Sequence, residues 1–135
     1  MTQPLITFPD IERLVVDYLD ARPEMAGTTV DNRPPAGFDG TAKTVLVSRV
    51  GGAWLDNQRL DAPLVDLEVY GPDKTAAHTV ALTTRALLMQ ARDAALSGAV
   101  VADVAEEDGP RWLPDYNHAA ANRYVMTYRL TVRPA

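Results

Sequence analysis

Few residues in this chain of 135 could carry covalent or metal chemistry. Cysteine is absent, which removes thiol nucleophiles, disulfides and zinc–thiolate sites. Serine occurs only at 48 and 97, and histidine only at 78 and 118. None of the four stands in a nucleophile motif. His78 falls on the polar side of a helical pattern. His118 falls in a loop with Asp115 nearby, and no third ligand is spaced to complete a metal site. The run "DVAEED" could attract a hard cation through its carboxylates, but it lacks the alternating ligands and turn glycine of a calcium loop. "RVGGAW" has no Gly-Lys-Ser/Thr sequel and is no phosphate loop. These residues imply no catalytic, cofactor or metal site.

The aromatic residues point elsewhere. Trp54 and Trp112 fall outside the periodic apolar stripes, in stretches that read as loops. Each either folds back on the core or anchors a contact with another protein, the use for which Trp is enriched. With Arg111, Asp115 and Tyr116 beside Trp112, and Arg129 on the last strand, they form the set of candidate interaction residues.

The elements that position them follow from periodicity. In "TFPDIERLVVDYLDARP", Ile11, Leu14, Val15, Tyr18 and Leu19 make one helical stripe. Thr7 and Asp10 have the spacing of a capping box, and Pro23 ends the helix. "MAGTTVDN" reads as a short strand and "RPPAGFDG" as a loop. "TAKTVLVSRV" is β-branched and reads as a strand, after which Gly51 and Gly52 would turn the chain through a wide hairpin tip. "PLVDLEVYG" alternates as a half-buried antiparallel strand, Val65, Leu67 and Val69 facing inward. "PDKTAAHTVALTTRALLMQARDAALSG" reads as a second helix, capped by Asp73 and ended by Gly98. Its small-residue stripe runs from Ala77 to Ala95. "AVVADVAEEDG" and "NRYVMTYRLTVR" are the last strands, joined by a loop from Gly109 to Asn122. The expected fold is α+β: an antiparallel or mixed β-sheet with two α-helices packed on one face, in a single domain over 1–135.

Charge narrows the partners. The net charge is −5, and both halves of the chain are acidic. A basic footprint for nucleic acid is missing. Arg123, Arg129 and Arg133 on the last strand can instead face Asp103, Glu106, Glu107 and Asp108 if residues 99–107 and 122–133 pair as antiparallel neighbours. No apolar run approaches the length of a membrane span, and the N-terminus lacks the pattern of a signal peptide.

The order of elements and the string "GPRWLPD…RYVMTYRLTVR" resemble the tail terminator (tail completion) proteins of long-tailed, non-contractile bacteriophages, above all those of actinobacterial hosts. Gly109, Pro110, Trp112, Pro114 and Asp115 match that group's loop, and Arg123 and Tyr124 its final strand. "RLDAPLVDLEVYG" and the Ala-rich helix match its middle. The resemblance covers residues 9–133. It implies a structural virion protein without enzymatic activity or cofactors, forming a ring, commonly a hexamer. The ring would cap the head-proximal end of the tail tube, stop tube polymerisation and meet the head-side connector or stopper. Genomic DNA would pass through its lumen unread. It would be assembled in the host cytoplasm and reside at the neck-proximal end of the tail. In such a ring the long loops 31–40 and 51–60 could reach a neighbour. The other readings are a different connector, neck or tube protein, or a small ligand-binding or enzymatic domain.

Overall fold

The computed structural model describes residues 5–55, 59–96 and 98–134. Asp10 starts the first helix, α1 (Ile11–Asp20): its carboxylate accepts the backbone N–H groups of Glu12 and Arg13. That gives two of the orphan donors at the helix start a partner. The cap is therefore Asp10, and Thr7 takes no part in it. Ile11, Leu14, Val15, Tyr18 and Leu19 are buried as the stripe requires, and Val16 joins them. The helix stops at Asp20, before Pro23. Pro23 forces Arg22 into extended backbone and opens a short 3-10 turn, Pro23–Met25.

Six strands follow: β1 (Thr29–Asp31), β2 (Thr44–Leu55), β3 (Leu60–Gly71), β4 (Ala95–Leu96), β5 (Ala99–Trp112) and β6 (Asn122–Pro134). The second helix, α2 (Lys74–Met89), lies between β3 and β4. The sheet order is β1-β2-β3-β6-β5-β4. Only β1 and β2 run parallel; the other neighbours are antiparallel. This is the mixed sheet of an α+β fold.

Three boundaries differ from the sequence reading. The glycine pair does not turn the chain: β2 runs through Gly51 and Gly52 to Leu55, with a bulge after Arg49. Gly52 lies so close to β3 that a Cβ there would overlap the Ala62 carbonyl oxygen. The glycines thus admit a close strand crossing rather than a tip. Residues 51–55 of the expected 51–60 loop are strand, and residues 56–58 lie outside the described ones. Likewise β5 continues through Gly109 to Trp112, because bulges at three places absorb the irregular stretch while pairing with β6 persists. The loop proper begins at Leu113. Finally, α2 ends at Met89, well before Gly98. Gln90 and Ala91 bond back three residues in a tightened turn, and Asp93 then adopts a left-handed conformation (φ 68) that Asp tolerates. Ala95 belongs to β4, not to the helix. Asp73 caps α2 as expected, accepting from the Ala76 N–H.

Both helices pack on one face of the sheet. Val45, Val47, Val65, Leu67, Val69, Met126, Tyr128 and Leu130 meet α1 and α2 in the main hydrophobic core. Tyr18 donates to the carbonyl of Leu87 (2.7 Å), tying one helix to the other. The opposite face carries Ser48, Asp66, Glu68, Thr127 and Arg129. Leu46, Tyr70 and Val125 are buried on that face, outside the main core.

Candidate functional site

Tyr70 organises one end of the polar face. Strand alternation turns it away from the helices, and Arg123 of β6 stands opposite it in register. Its hydroxyl lies 2.9 Å from both Glu68 Oε2 and Asp115 Oδ2. One hydroxyl hydrogen thus stands between two carboxylates. Burial, together with those hydrogen bonds and charges, pushes the phenol well above its ordinary range. Burial of Asp115 works against its charge, but hydrogen bonds from His118, Tyr70 and the Asn117 N–H outweigh it and hold the carboxyl below its usual value. His118 Nδ1 is 2.9 Å from the same Oδ2. Arg123 completes the arrangement. It lies 3.4 Å from Glu68 and donates to the carbonyls of Leu113 (3.0 Å) and Pro114 (2.8 Å).

Two loops meet on this network. Phe38, from residues 32–43, packs edge-on against Tyr70 and His118, with ring centroids 4.9 and 5.1 Å apart. Gly40 sits where a Cβ would come 2.5 Å from that of Ala121 in the 113–121 loop. A cavity of about 270 Å³ opens between Asn32, Arg33, Phe38, Glu68, His118 and Arg123. Every oxygen of Asp115 is engaged within the chain, as is the Tyr70 hydroxyl. The arrangement works as a latch on the loop rather than as a poised nucleophile. His118 and Asp115 do meet, but among the described residues no third metal-ligating side chain stands with them.

Trp112 and Trp54 occupy strands, not loops. Trp112 ends β5, edge-on to Tyr124 at 5.4 Å and beneath Lys74 Nζ at 4.6 Å. It remains 39% exposed, so it is not the core-seated ring that a folded-back Trp would be. Tyr116, 93% exposed, follows in the same loop as Asp115. Trp54 lies at the far end of the sheet, 48% exposed, with Phe8 against it at 6.2 Å. Registers place Trp54 beside Asp61, and Trp112 across β6 from Val69. Asp61 and Val69 are eight residues apart on β3, so the two indoles lie at ends separated by roughly 26 Å along the strands.

Two arginines of the last strand, Arg123 and Arg129, serve the protein itself. β5 and β6 pair antiparallel as expected, and Arg129 bonds Glu107 across them (3.1 Å). Arg123 reaches β3 instead, at Glu68. Arg85 of α2 and Arg92 of the turn after it neutralise Glu106 and Asp103, and Arg111 pairs with Asp108. The acidic run is therefore compensated at each of its four carboxylates.

The sequence reading missed Arg49 and Asp61. Asp61 is buried, and both of its oxygens accept from Arg49 (2.9 and 3.0 Å). Arg49 also donates its backbone N–H to Glu12 of α1 (2.8 Å) and its Nε to the Gly51 carbonyl (2.9 Å). A base just before the glycine pair and an acid at the start of the next strand were the available signal.

Comparison with known proteins decides the family. The sequence profile of a family described as phage tail termination protein matches residues 7–134. The chain belongs to that tail termination family. A structural role in a phage tail, within the virion, goes with that membership. A search of curated proteins found no match. Among solved structures, a chain from the virion of a native gene transfer agent particle is similar to it, with TM-score 0.70 and 17% identity. The alignment covers 91% of this chain and 94% of that one, and at such identity it speaks for the fold alone. Among the described residues of this family member, no helix is long and apolar enough to cross a membrane.

Proposed function

We propose that the chain, working as one domain, forms a closed ring on the head-proximal end of the tail tube. The ring ends tube polymerisation and offers its other side to the head-side connector or stopper. Membership of the tail termination family is the observation that carries this reading. The exposed aromatic residues at both ends of the sheet support it, since a subunit of a ring must offer apolar surface to other chains. Six copies is the expected ring order. The protein acts without catalysis or cofactors, is assembled in the host cytoplasm and resides at the neck.

Genomic DNA passes through such a ring without being read. A strongly basic lumen would hold phosphates through counterion release and slow passage. A chain of net charge −5 whose last-strand Arg123 and Arg129 are engaged by its own acids avoids that grip.

The test is electron microscopy of a phage lacking this protein. Tails of uncontrolled length, or tails that fail to join heads, are expected. Normal tails joined to heads would overturn the proposal. Purified protein that grows into open-ended polymers instead of closed rings would identify a tube subunit.

A further inference from the structure

Six of the ten large apolar side chains exposed among the described residues lie in two groups at opposite ends of the sheet. Val50, Trp54 and Leu55 lie on the β2 arm of the β2–β3 hairpin, and Phe8 of the N-terminal segment packs against Trp54. Trp112, Leu113 and Tyr116 gather where β5 leaves the sheet. We infer that these two ends dock on each other between copies: the hairpin end of one subunit receives the Trp112–Tyr116 loop end of the next. This rests on the ring reading above and names the surfaces that would close the ring.

Three features favour a second copy as the occupant. First, a ring needs one heterologous contact, so each subunit must give one surface and take a different one. Two apolar patches at opposite ends meet that requirement, whereas a twofold dimer needs only one patch. Second, charge selects these patches. A chain of net charge −5 repels its own copies over most of its surface. The stretch Val50–Leu55 carries no charged side chain. In the loop, Asp115 is turned inward and occupied by Tyr70 and His118. Third, the two sheet edges are treated differently. β1 covers β2 only at Thr44–Leu46, so from Val47 onward the outer edge of β2 has no strand neighbour among the described residues. The outer edge of β5 is bulged at three positions and lined with Asp103, Glu106, Glu107 and Asp108, features that discourage strand addition. The receptive edge is thus the one beside the hairpin patch, and the strand opposite is closed to it.

Two double variants test the inference, each confined to exposed positions. Val50→Glu with Leu55→Glu disables the hairpin end, and Leu113→Glu with Tyr116→Glu disables the loop end. Each is first checked for an unchanged circular dichroism spectrum and melting temperature. Masses are then measured by sedimentation at about 0.1 mM. The wild type should assemble, and each variant alone should stay a monomer. An equimolar mixture should stop at a mass of two chains, because only one intact hairpin end and one intact loop end remain to meet. If both variants assemble like the wild type, the patches serve the tube or the connector, and the inference fails while the ring reading stands. If the loop variant forms dimers by itself, the hairpin end is self-complementary, and the inference fails again. A wild type that remains monomeric would remove both.

Discussion

Arg49 and Asp61 bind three parts of the molecule with one ion pair: the bulge of β2, the start of β3 and, through Glu12, the first turn of α1. Asp61 has almost no contact with water, while the Arg49 side chain keeps 35% of its surface exposed. Removing the cation leaves a buried carboxylate without its partner, which typically costs about 3–5 kcal/mol. Arg49→Met should therefore lower stability by about 3 kcal/mol, the lower end because of that exposure, read as a reduced urea midpoint at unchanged slope. Replacing both partners, Arg49→Met with Asp61→Leu, should recover part of the loss; a double variant no more stable than the single one would contradict the account. Asp115 makes a prediction of another kind. Its carboxyl is held below the ordinary value of 3.8, so its contribution to stability is complete above that value and fades as pH falls through the lowered one. Asp115→Asn should be less stable than wild type at neutral pH, with the deficit vanishing in acid. A deficit of the same size across the whole pH range would assign Asp115 a role independent of its charge.

At the scale of elements, Gly52 decides how the hairpin is built. Its φ is +92, and a Cβ would collide with the β3 backbone at Ala62 and Pro63. Both obstacles are main chain, so no side-chain rotation relieves them. Gly52→Ala should destabilise the protein by more than about 1 kcal/mol, whereas Gly37→Ala, in open space, should cost only the strain of its positive φ. Comparing the two melting temperatures checks this. The same glycines explain what sequence could and could not convey. Both helices, the alternation of β3 and β6, and the pairing of β5 with β6 were legible, because periodicity reports burial directly. The charges were less faithful, for of the four acids of β5 only Glu107 is answered by an arginine of β6. The extension of β2 through Gly51 and of β5 to Trp112 was not, since glycine and proline mark a turn and a bulged strand alike. For the candidate site, Trp54 and Trp112 stood out in the sequence by their misfit with the core stripes, although both lie in strands rather than loops. The Tyr70 network and the Arg49–Asp61 pair stayed hidden. The contacts that tie them together, Arg49–Asp61, Tyr70–Asp115 and Arg123–Glu68, span 12 to 55 residues of sequence and form only on folding.

For the whole molecule, the order β1-β2-β3-β6-β5-β4 puts the C-terminal strand between β3 and β5. It supplies Met126, Tyr128 and Leu130 to the core and bonds to both neighbours. A chain ending before Asn122 should therefore show no cooperative unfolding at all; a sharp thermal transition in that fragment would refute this. The arrangement also has a consequence in time. During translation β6 is made after β3 and β5, and until it emerges from the ribosome those two strands have nothing to join them. A subunit still being synthesised has no finished hairpin end and no latched loop end to offer. The sheet, and any surface it presents to another chain, is thus completed in one late step, when β6 enters between β3 and β5.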